Sequence, residues 1–455
     1  MRDKRGLQAL VFGAVLMIIC FLLYLAAYFP ALMSTDSLDQ WSQMVSLKFN
    51  DWHPAVHTWL NLILTKVWYS PASIALAQII ALVFVYAYAM YTLLKLGVGK
   101  AICFLTMMIF ALYPINGFLV ITLWKDIPYS IMLLWITINL MNIVKTEGEW
   151  VSTPVNAVSF TISCLGAVFF RHNGMLVFLI VMVVLFIIYR NYKRIFSLIS
   201  VIILASYFII TGPVFNKMNI AKSPSTEALG IPMQQLAAVV RENGKLDEKD
   251  KEFLSKILPL ELWNKEYLPY STNPIKFSKD FNGDYVSKNK SDFVKHWAAI
   301  VMKNPQIAVE AYLKQTSIIW KVKPYADSYT YTVTREINKN QFGLQTKPIN
   351  SKLNNLANKI YEFTYGSKYF ILFWRPALWL YLSIISALIS AVILGRKTWV
   401  ILMPLAGNIL SLLVAIPAQD YRYLYSNVLI AAVLIPLAVN VIFRGKTVPK
   451  RHVNQ

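Results

Sequence analysis

The chain has 455 residues, of which 57% are hydrophobic and only 15% are charged, yet its formal net charge is +21. This composition excludes a soluble globular protein of this size and predicts an all-α polytopic membrane protein. Nucleic-acid binding is not expected, because much of the basic excess flanks hydrophobic segments and does not form one soluble face. Cys20, Cys103 and Cys164 lie in apolar segments without the spacing of a disulfide framework or a zinc site.

Ten segments are apolar and long enough to cross a hydrocarbon core, which takes about 20 residues per helix. They lie near residues 9–32, 73–94, 101–121, 127–144, 154–170, 174–189, 195–212, 369–394, 398–417 and 423–443. The segment 54–70 is apolar but short, and Pro54, His57, Asn61 and Lys66 interrupt it. We therefore predict a juxtamembrane or re-entrant helix there.

Lys and Arg collect in alternate connections between these spans, which indicates the cytoplasmic side of the membrane. The basic residues concerned are Arg2, Lys4, Arg5, Lys95, Lys100, Lys145, Arg190, Lys193, Arg194, Arg396, Lys397, Arg444, Lys446, Lys450 and Arg451. The pattern predicts a multi-pass protein of the cell membrane with both termini in the cytoplasm. Counting 54–70 as a full span would place the later basic connections outside, so the charges argue against it.

Three regions follow from this topology. Residues 1–212 form an N-terminal transmembrane module of seven spans with an outer loop at 33–72, and residues 369–455 form a C-terminal module of three spans with a cytoplasmic tail. Residues 213–368 form an extracytoplasmic cap that is mainly helical, with amphipathic stretches at 304–320 and 352–365. The sequence shows no internal repeat, no low-complexity tract and no Gly-rich phosphate loop.

The ionisable residues outside the cap and the cytoplasmic connections fall at the outer membrane face or just within it. They are Lys48, Lys66, Lys125, Arg171, Arg375 and Arg422, with Asp36, Asp39, Asp51, Asp126 and Asp420. Charged groups there are costly to bury without partners and are functional candidates. Most lie in polar clusters at helix ends, namely 34–39, 50–54, 124–126, 171–173 and 419–423. We predict one outward-facing polar cavity, in which acids act as a base or metal ligands and cations hold a phosphate.

Several of these residues also have a structural interpretation. Asp36 and Asp39 suit the N-cap of a juxtamembrane helix. Lys125 beside Asp126 suits an interfacial pair, and Arg171 suits the C-terminal dipole of the fifth span.

The remaining alternatives concern the histidines and the last cluster. His53 and His57 have the i,i+4 spacing of a shared metal site, but Pro54 separates them, and His57 also suits an interfacial polar position. Asp420 and Arg422 suit a local ion pair that contributes little stability. Lys66 and Arg375 suit membrane anchors.

An acid directly after the first span, Asp36, and the segment 51–60 (DWHPAVHTWL) resemble the first outer loop of GT-C membrane glycosyltransferases. That superfamily includes the protein O-mannosyltransferases and the lipid A aminoarabinose transferases. These relatives carry x-Pro-Pro-Leu-Tyr-Tyr at this place, whereas the present chain has Ala55 for the second proline and His57-Thr58 for aromatic residues.

Later motifs extend the resemblance. Asp126 takes the place of a second outer-loop acid, and Arg422-Tyr423 opens the last span. The motifs WKDIP, RHNG and DYRY are similar to those of uncharacterised GT-C-like proteins of Gram-positive envelopes. The resemblance covers roughly the first 190 and the last 90 residues, and the cap matches no family that we can name.

The resemblance implies that a sugar is transferred from a polyprenyl-phosphate carrier to an extracytoplasmic acceptor, with inversion at the anomeric carbon. Asp36 would then be the general base, and Asp126 would orient the acceptor or help to hold a divalent ion. The carrier phosphate would be bound by Lys125, Arg171 and Arg422, with His53 as a supporting or metal-ligating residue. Secondary candidates are Asp39, Asp51, His57, His172 and Tyr423.

The predicted partners are the lipid-linked sugar, an acceptor such as an anionic polymer of the teichoic-acid type, and the bilayer. A divalent cation (Mg, Mn or Zn) on Asp36, Asp126 and His53 would suit the donor types, and no nucleotide cofactor is expected. Two other functions stay open: a transporter or flippase of a lipid-linked anion, and an envelope polysaccharide ligase or polymerase. The first is disfavoured by the absence of a repeat, and the second is expected to use Arg and His more than paired carboxylates.

Overall fold

The computed structural model of the chain describes residues 4–366 and 369–444. Over these residues the protein is helical, and its β-type pairing is limited to isolated bridges such as the one between Leu32 and Thr122. The prediction of an all-α membrane protein is confirmed at this level. The predicted cytoplasmic residues Arg2, Lys446, Lys450 and Arg451 lie outside the described residues.

Most helices follow the hydrophobic segments of the sequence. The first half of the chain contains α1 (Lys4–Ala27), α2 (Thr35–Ser46), α3 (Ala55–Val67), α4 (Pro71–Lys95), α5 (Lys100–Leu112), α6 (Pro114–Val120), α7 (Asp126–Lys145), α8 (Pro154–Phe170), α9 (Gly174–Ile188), α10 (Lys193–Ile209) and α11 (Phe215–Lys217). The second half contains α12 (Gly230–Arg241), α13 (Glu248–Ile257), α14 (Leu260–Lys265), α15 (Asn273–Lys276), α16 (Gly283–Lys288), α17 (Lys290–Lys303), α18 (Pro305–Trp320), α19 (Ser351–Gly366), α20 (Phe370–Trp374), α21 (Pro376–Leu394), α22 (Met403–Ala415) and α23 (Tyr425–Arg444).

The number of candidate spans is smaller than predicted. Among the described residues, seven helices are long and apolar enough to cross a membrane, and the pair α5 and α6 makes an eighth if its 63° bend is counted within one span. The bend falls at Pro114, which opens α6 and cannot continue the helical hydrogen bonds of α5. Helices α8 and α9 are apolar but have only 17 and 15 residues, whereas adjoining 3₁₀ and π turns extend α10 and α22 to the candidate spans Arg190–Lys217 and Arg396–Ala415. By length and composition the described residues thus hold seven or eight candidate spans, against the predicted ten.

Three predicted shorter helices are present. The segment 54–70 contains α3, a helix of 13 residues that is not among the candidate spans. The amphipathic stretches 304–320 and 352–365 form α18 and α19.

The described residues divide into two compact units. The first comprises the described parts of 1–221, 333–408 and 424–455. Its central helix is α7, since 83% of the most apolar 18-residue stretch of this helix is buried. Helix α7 contacts α4, α8 and α23. Helix α19 packs along α1, where the Asn354 amide donates to the Ala27 carbonyl at 2.8 Å.

The second unit comprises residues 222–332 and 409–423. Its core surrounds the fully buried Trp263. Two hydrogen bonds hold residues 409–423 to α18. Gln315 of α18 donates to the Ile416 carbonyl at 2.8 Å, and Gln419 donates to the Lys314 carbonyl of α18 at 2.7 Å. These units divide the chain differently from the three predicted regions 1–212, 213–368 and 369–455, because residues 333–366 pack in the first unit.

Candidate functional site

Three loops at helix ends meet in the first unit. One precedes α3 and contains Asp51 and His53, one precedes α7 and contains Lys125, and one follows α8 and contains Arg171 and His172. Polar residues are expected at these positions, since each loop connects two helices. The contacts between them show which residues the fold brings together.

Asp126 and Arg171 form a buried ion pair. Asp126 is the first residue of α7, where a carboxylate is favoured by the positive end of the helix dipole. Its Oδ1 atom lies 3.2 Å from Nη1 of Arg171, and the two side chains are 0% and 9% exposed. The guanidinium carbon of Arg171 also lies 5.6 Å from the ring centre of Tyr129, one turn along α7. The Arg171 guanidinium is therefore held between the Asp126 carboxylate and the Tyr129 ring.

His53 connects a cation to an acid. The Lys125 ammonium donates to Nδ1 of His53 at 2.5 Å. Because an ammonium group can only donate, a neutral His53 carries its proton on Nε2, which lies 3.9 Å from Oδ2 of Asp39. Asp39 in turn accepts a hydrogen bond from Gln43 at 2.7 Å. The Trp52 ring stacks on the imidazole with ring centres 5.1 Å apart.

Asp51 and His172 form the third contact. Nε2 of His172 donates to the backbone carbonyl of Asp51 at 2.9 Å and lies 3.9 Å from its Oδ2 atom. The Asp51 carboxylate also accepts from the Ala55 N–H at 3.0 Å, which caps the start of α3. Burial raises the pKa of the Asp51 carboxyl, while the charge of His172 acts in the opposite direction.

Together these contacts form a closed cycle, which we call the contact ring: Asp51, His53, Lys125, Asp126, Arg171 and His172. The cycle closes because Lys125 and Asp126 are adjacent in the chain, as are Arg171 and His172, and Asp51 is two residues from His53. Each of the three loops is thereby held to both of the others. Two acids, two permanent cations and two histidines are thus gathered at the starts of α3 and α7 and the end of α8.

His57 lies next to the ring but is buried. The Gln40 amide donates to Nδ1 of His57 at 2.9 Å and to Oγ1 of Thr58 at 2.8 Å. The imidazole also meets the Phe170 ring edge to face at 5.9 Å. Burial, aided by the charge of Lys125, lowers the pKa of His57 to about 3. His57 is therefore neutral near pH 7, with its proton on Nε2.

Asp36 lies in the first turn of α2 and is half-buried. It is three and four residues before Asp39 and Gln40, so all three share the helix face that contacts His53 and His57. The start of α2 is anchored to the loop before α7, since Ser37 donates to the Leu123 carbonyl at 2.9 Å. The structure thus places Asp36 on the helix face that borders the contact ring.

Arg422 and Tyr423 belong to the second unit. Nε of Arg422 lies 2.9 Å from Oδ2 of Asp420, and the guanidinium carbon lies 5.3 Å from the Tyr423 ring centre. This geometry matches the local ion pair that was one of the sequence-based alternatives.

The predicted metal ligands do not form a metal site. Within the described residues, no group of three or more His, Cys, Asp or Glu side chains is placed to hold a metal ion. Asp126 is engaged by Arg171, and His53 is engaged by Lys125. The set Asp36, Asp126 and His53 therefore does not fit a divalent cation.

Sequence reasoning missed several residues that orient the site. Gln40 and Gln43 hold His57 and Asp39, and Tyr129 packs on Arg171. For the two glutamines the sequence did contain a signal. Positions 36, 39, 40 and 43 fall on one helix face, so the glutamines share a face with Asp36 and Asp39. No such signal existed for Tyr129, one of many aromatic residues in the spans.

A family model, DUF6020, described as a family of unknown function, matches residues 69–444. The matched segment includes Lys125, Asp126, Arg171 and Arg422 and starts after the outer-loop residues Asp36 and His53. No curated protein and no solved structure matches the chain.

Proposed function

The chain belongs to the DUF6020 family, and we propose that it is a membrane glycosyltransferase that moves a sugar from a polyprenyl-phosphate carrier to an extracytoplasmic acceptor. The observation that supports this most is the contact ring, in which acids and cations from three loops converge. Sugar transfer from a lipid phosphate needs a base for the acceptor and positive charge for the leaving phosphate. The ring and the adjoining face of α2 supply both.

Lys125 and Arg171 would bind the carrier phosphate. The negative charge of this phosphate increases as its bond to the sugar breaks, so fixed cations stabilise the transition state more than the ground state. Arg171 offers five N–H donors, and Asp126 engages its Nη1 atom. His53 would hold the Lys125 ammonium in place through the hydrogen bond to Nδ1.

Asp36 would be the general base. It takes the proton from the acceptor hydroxyl while the hydroxyl oxygen forms a bond to the anomeric carbon. The bond between that carbon and the phosphate oxygen breaks, and the polyprenyl phosphate leaves with the electron pair. A single displacement of this kind inverts the anomeric configuration.

Asp126 has a positioning role in this scheme. Its side chain is fully buried and paired with Arg171. We therefore assign it to holding that guanidinium, in place of the acceptor-orienting role that the resemblance implied. The proposed reaction uses no metal ion, because the part of the chain that the structure describes has no group of three His, Cys, Asp or Glu side chains placed to hold one. Arg422 lies in the second unit, where its Nε atom is 2.9 Å from Oδ2 of Asp420, and the proposed reaction does not use it.

The cellular setting is part of the proposal. Both termini would lie in the cytoplasm, and the contact ring would face the outside of the cell. The acceptor would be a glycopolymer, glycolipid or protein of the cell envelope, with anionic polymers of the teichoic-acid type as the leading candidates.

The direct test uses purified protein in lipid nanodiscs with a radiolabelled polyprenyl-phosphate sugar and envelope extract as the acceptor source. We expect Asp36→Asn to lower the transfer rate by about 10² to 10⁴ and to leave donor binding unchanged. The matched control is Asp284→Asn, which changes an exposed carboxylate of the second unit and should transfer normally. Normal transfer by Asp36→Asn would remove Asp36 from the role of base.

Phosphate binding is tested separately. Lys125→Gln and Arg171→Ala should each weaken donor binding about tenfold or more, whereas Arg335→Ala, which removes an exposed cation, should not. Unchanged donor affinity in both ring variants would rule out the phosphate site. If wild-type protein moves the carrier across a vesicle bilayer without transferring sugar, the flippase alternative replaces the transferase.

A further inference from the structure

A cluster of tyrosines lies in the second unit. The segment YADSYTY at 325–331 supplies Tyr325, Tyr329 and Tyr331. Tyr329 and Tyr331 meet edge to face with ring centres 4.9 Å apart. Tyr270 lies beneath, with its ring centre 6.4 Å from that of Tyr325 and 6.1 Å from that of Tyr329. We call these four residues the tyrosine patch.

The patch has a buried base and an open top. Tyr270 is only 1% exposed, whereas Tyr331 is 47% exposed. Tyr325 and Tyr329 are partly exposed, and Asp327 between them is exposed. Packing within the unit therefore covers the Tyr270 ring and leaves the Tyr331 ring open to solvent.

Charged groups surround the rings. The Tyr270 hydroxyl donates to Oδ1 of Asp327 at 2.6 Å, and the Lys321 ammonium lies 4.5 Å from the centre of the Tyr325 ring. These contacts leave the second carboxylate oxygen of Asp327 available as a hydrogen-bond acceptor.

A second charged pair is held beside Tyr331 by the backbone. The Tyr331 N–H donates to the Gln419 carbonyl at 2.8 Å, and the Tyr421 N–H donates to the Tyr331 carbonyl at 2.9 Å. This bridge pairs Tyr331 with Asp420, and Asp420 carries the ion pair to Arg422. A polar cluster that the sequence singled out therefore adjoins the exposed ring.

We propose that the tyrosine patch binds a carbohydrate chain. A sugar ring presents C–H groups on its faces and hydroxyls at its edge. The faces fit against aromatic rings, and the hydroxyls fit carboxylates and guanidinium groups that both accept and donate. A site for a lipid surface would be expected to surround the rings with exposed aliphatic side chains, whereas here two acids, Asp327 and Asp420, lie beside them. The same two acids would repel the phosphates of a nucleic acid. The proposal concerns binding alone and does not rest on the transfer reaction proposed above.

The test is calorimetric titration of the purified full chain with tetrasaccharides of glucose, mannose and N-acetylglucosamine, without any lipid-linked donor. We expect at least one to bind, and Tyr331→Ala to weaken its binding about tenfold or more. Tyr331→Phe keeps the ring and should bind within about threefold of the wild type. The matched control is Phe277→Ala, since Phe277 is a 60% exposed aromatic residue of the same unit outside the patch, and this variant should bind normally.

Two results would overturn the proposal: binding of none of the three saccharides, or equal binding by the wild type and Tyr331→Ala. A third measurement addresses the bilayer. If a spin label on Tyr331→Cys in nanodiscs becomes accessible to lipid-dissolved oxygen and not to a water-soluble relaxant, the patch is an interfacial aromatic belt. Transfer activity of the same preparations is assayed separately, so failure of sugar binding and failure of the transferase proposal remain distinguishable.

Discussion

The ion pair between Asp126 and Arg171 illustrates what burial does to a charged residue. A surface pair contributes little stability, but a buried one becomes costly when a single partner is removed. Here the pair connects the first residue of α7 to the residue that follows α8. The sequence-based alternative was that Arg171 interacts with the dipole at the C-terminus of its own helix. That interaction would not account for the contact with Asp126 of α7. The pair therefore has a structural role in addition to the proposed phosphate chemistry.

His57 makes the stability of the protein depend on pH. Its pKa is about 3 in the folded protein, against 6.5 ordinarily, so between these values the unfolded chain binds a proton that the folded protein does not. The free energy of unfolding therefore falls as the pH is lowered from 6.5 towards 3 and is unaffected by this group at higher pH. We expect a loss of about 1.4 kcal/mol per pH unit in that range. Thermal unfolding in detergent at several pH values measures this slope.

The matched variant for this measurement is His57→Gln, which removes the titrating group and should flatten the pH dependence. An unaltered slope in His57→Gln would contradict the assignment to His57.

At the scale of elements, the turn between α8 and α9 depends on a glycine. A Cβ atom at Gly174 would lie 1.9 Å from the Ala167 carbonyl oxygen of α8, which is backbone and cannot move aside. Gly174→Ala would therefore separate α8 from α9 and displace the preceding Arg171 and His172. We expect a loss of about 3 kcal/mol or more, together with weaker donor binding. The measurements are thermal unfolding in detergent and donor titration.

Gly212→Ala is the control, because a Cβ atom there meets no other atom within 4 Å. This variant should match the wild type in stability and donor binding. Equal stability of the two glycine variants would contradict the close approach of α8 and α9.

The meeting of these loops was partly predictable. Polar clusters at 50–54, 124–126 and 171–173 stand at the ends of apolar helices, and that pattern suggested a common site. Which residue pairs with which was not predictable, because it depends on the close packing of α8 and α9 at Gly174 and on the packing of α7 against α8. The bend between α5 and α6 did have a signal in Pro114, but hydropathy alone joined both helices into one span.

For the whole molecule, hydropathy predicted the membrane class but not the unit boundaries. Residues 333–366 are as polar as the rest of the predicted cap, yet they belong to the first unit through hydrogen bonds such as that from Asn354 to the Ala27 carbonyl. Such contacts join segments that are far apart in the chain and leave no local pattern. The same holds for residues 409–423, which pair with Tyr331 and α18 in the second unit.

The distribution of basic residues also predicts the orientation of the protein in the membrane, and the proposed outward-facing site depends on this orientation. Basic residues at 190–194 indicate a cytoplasmic connection, and residues 222–332 would then lie outside. We expect Ser291→Cys, at an exposed position of the second unit, to react with a membrane-impermeant maleimide on intact cells. Asn191→Cys, exposed between α9 and α10, should react only after permeabilisation. The wild type, in which Cys103 and Cys164 are buried, gives the background, and the reverse labelling pattern would place the contact ring on the cytoplasmic side.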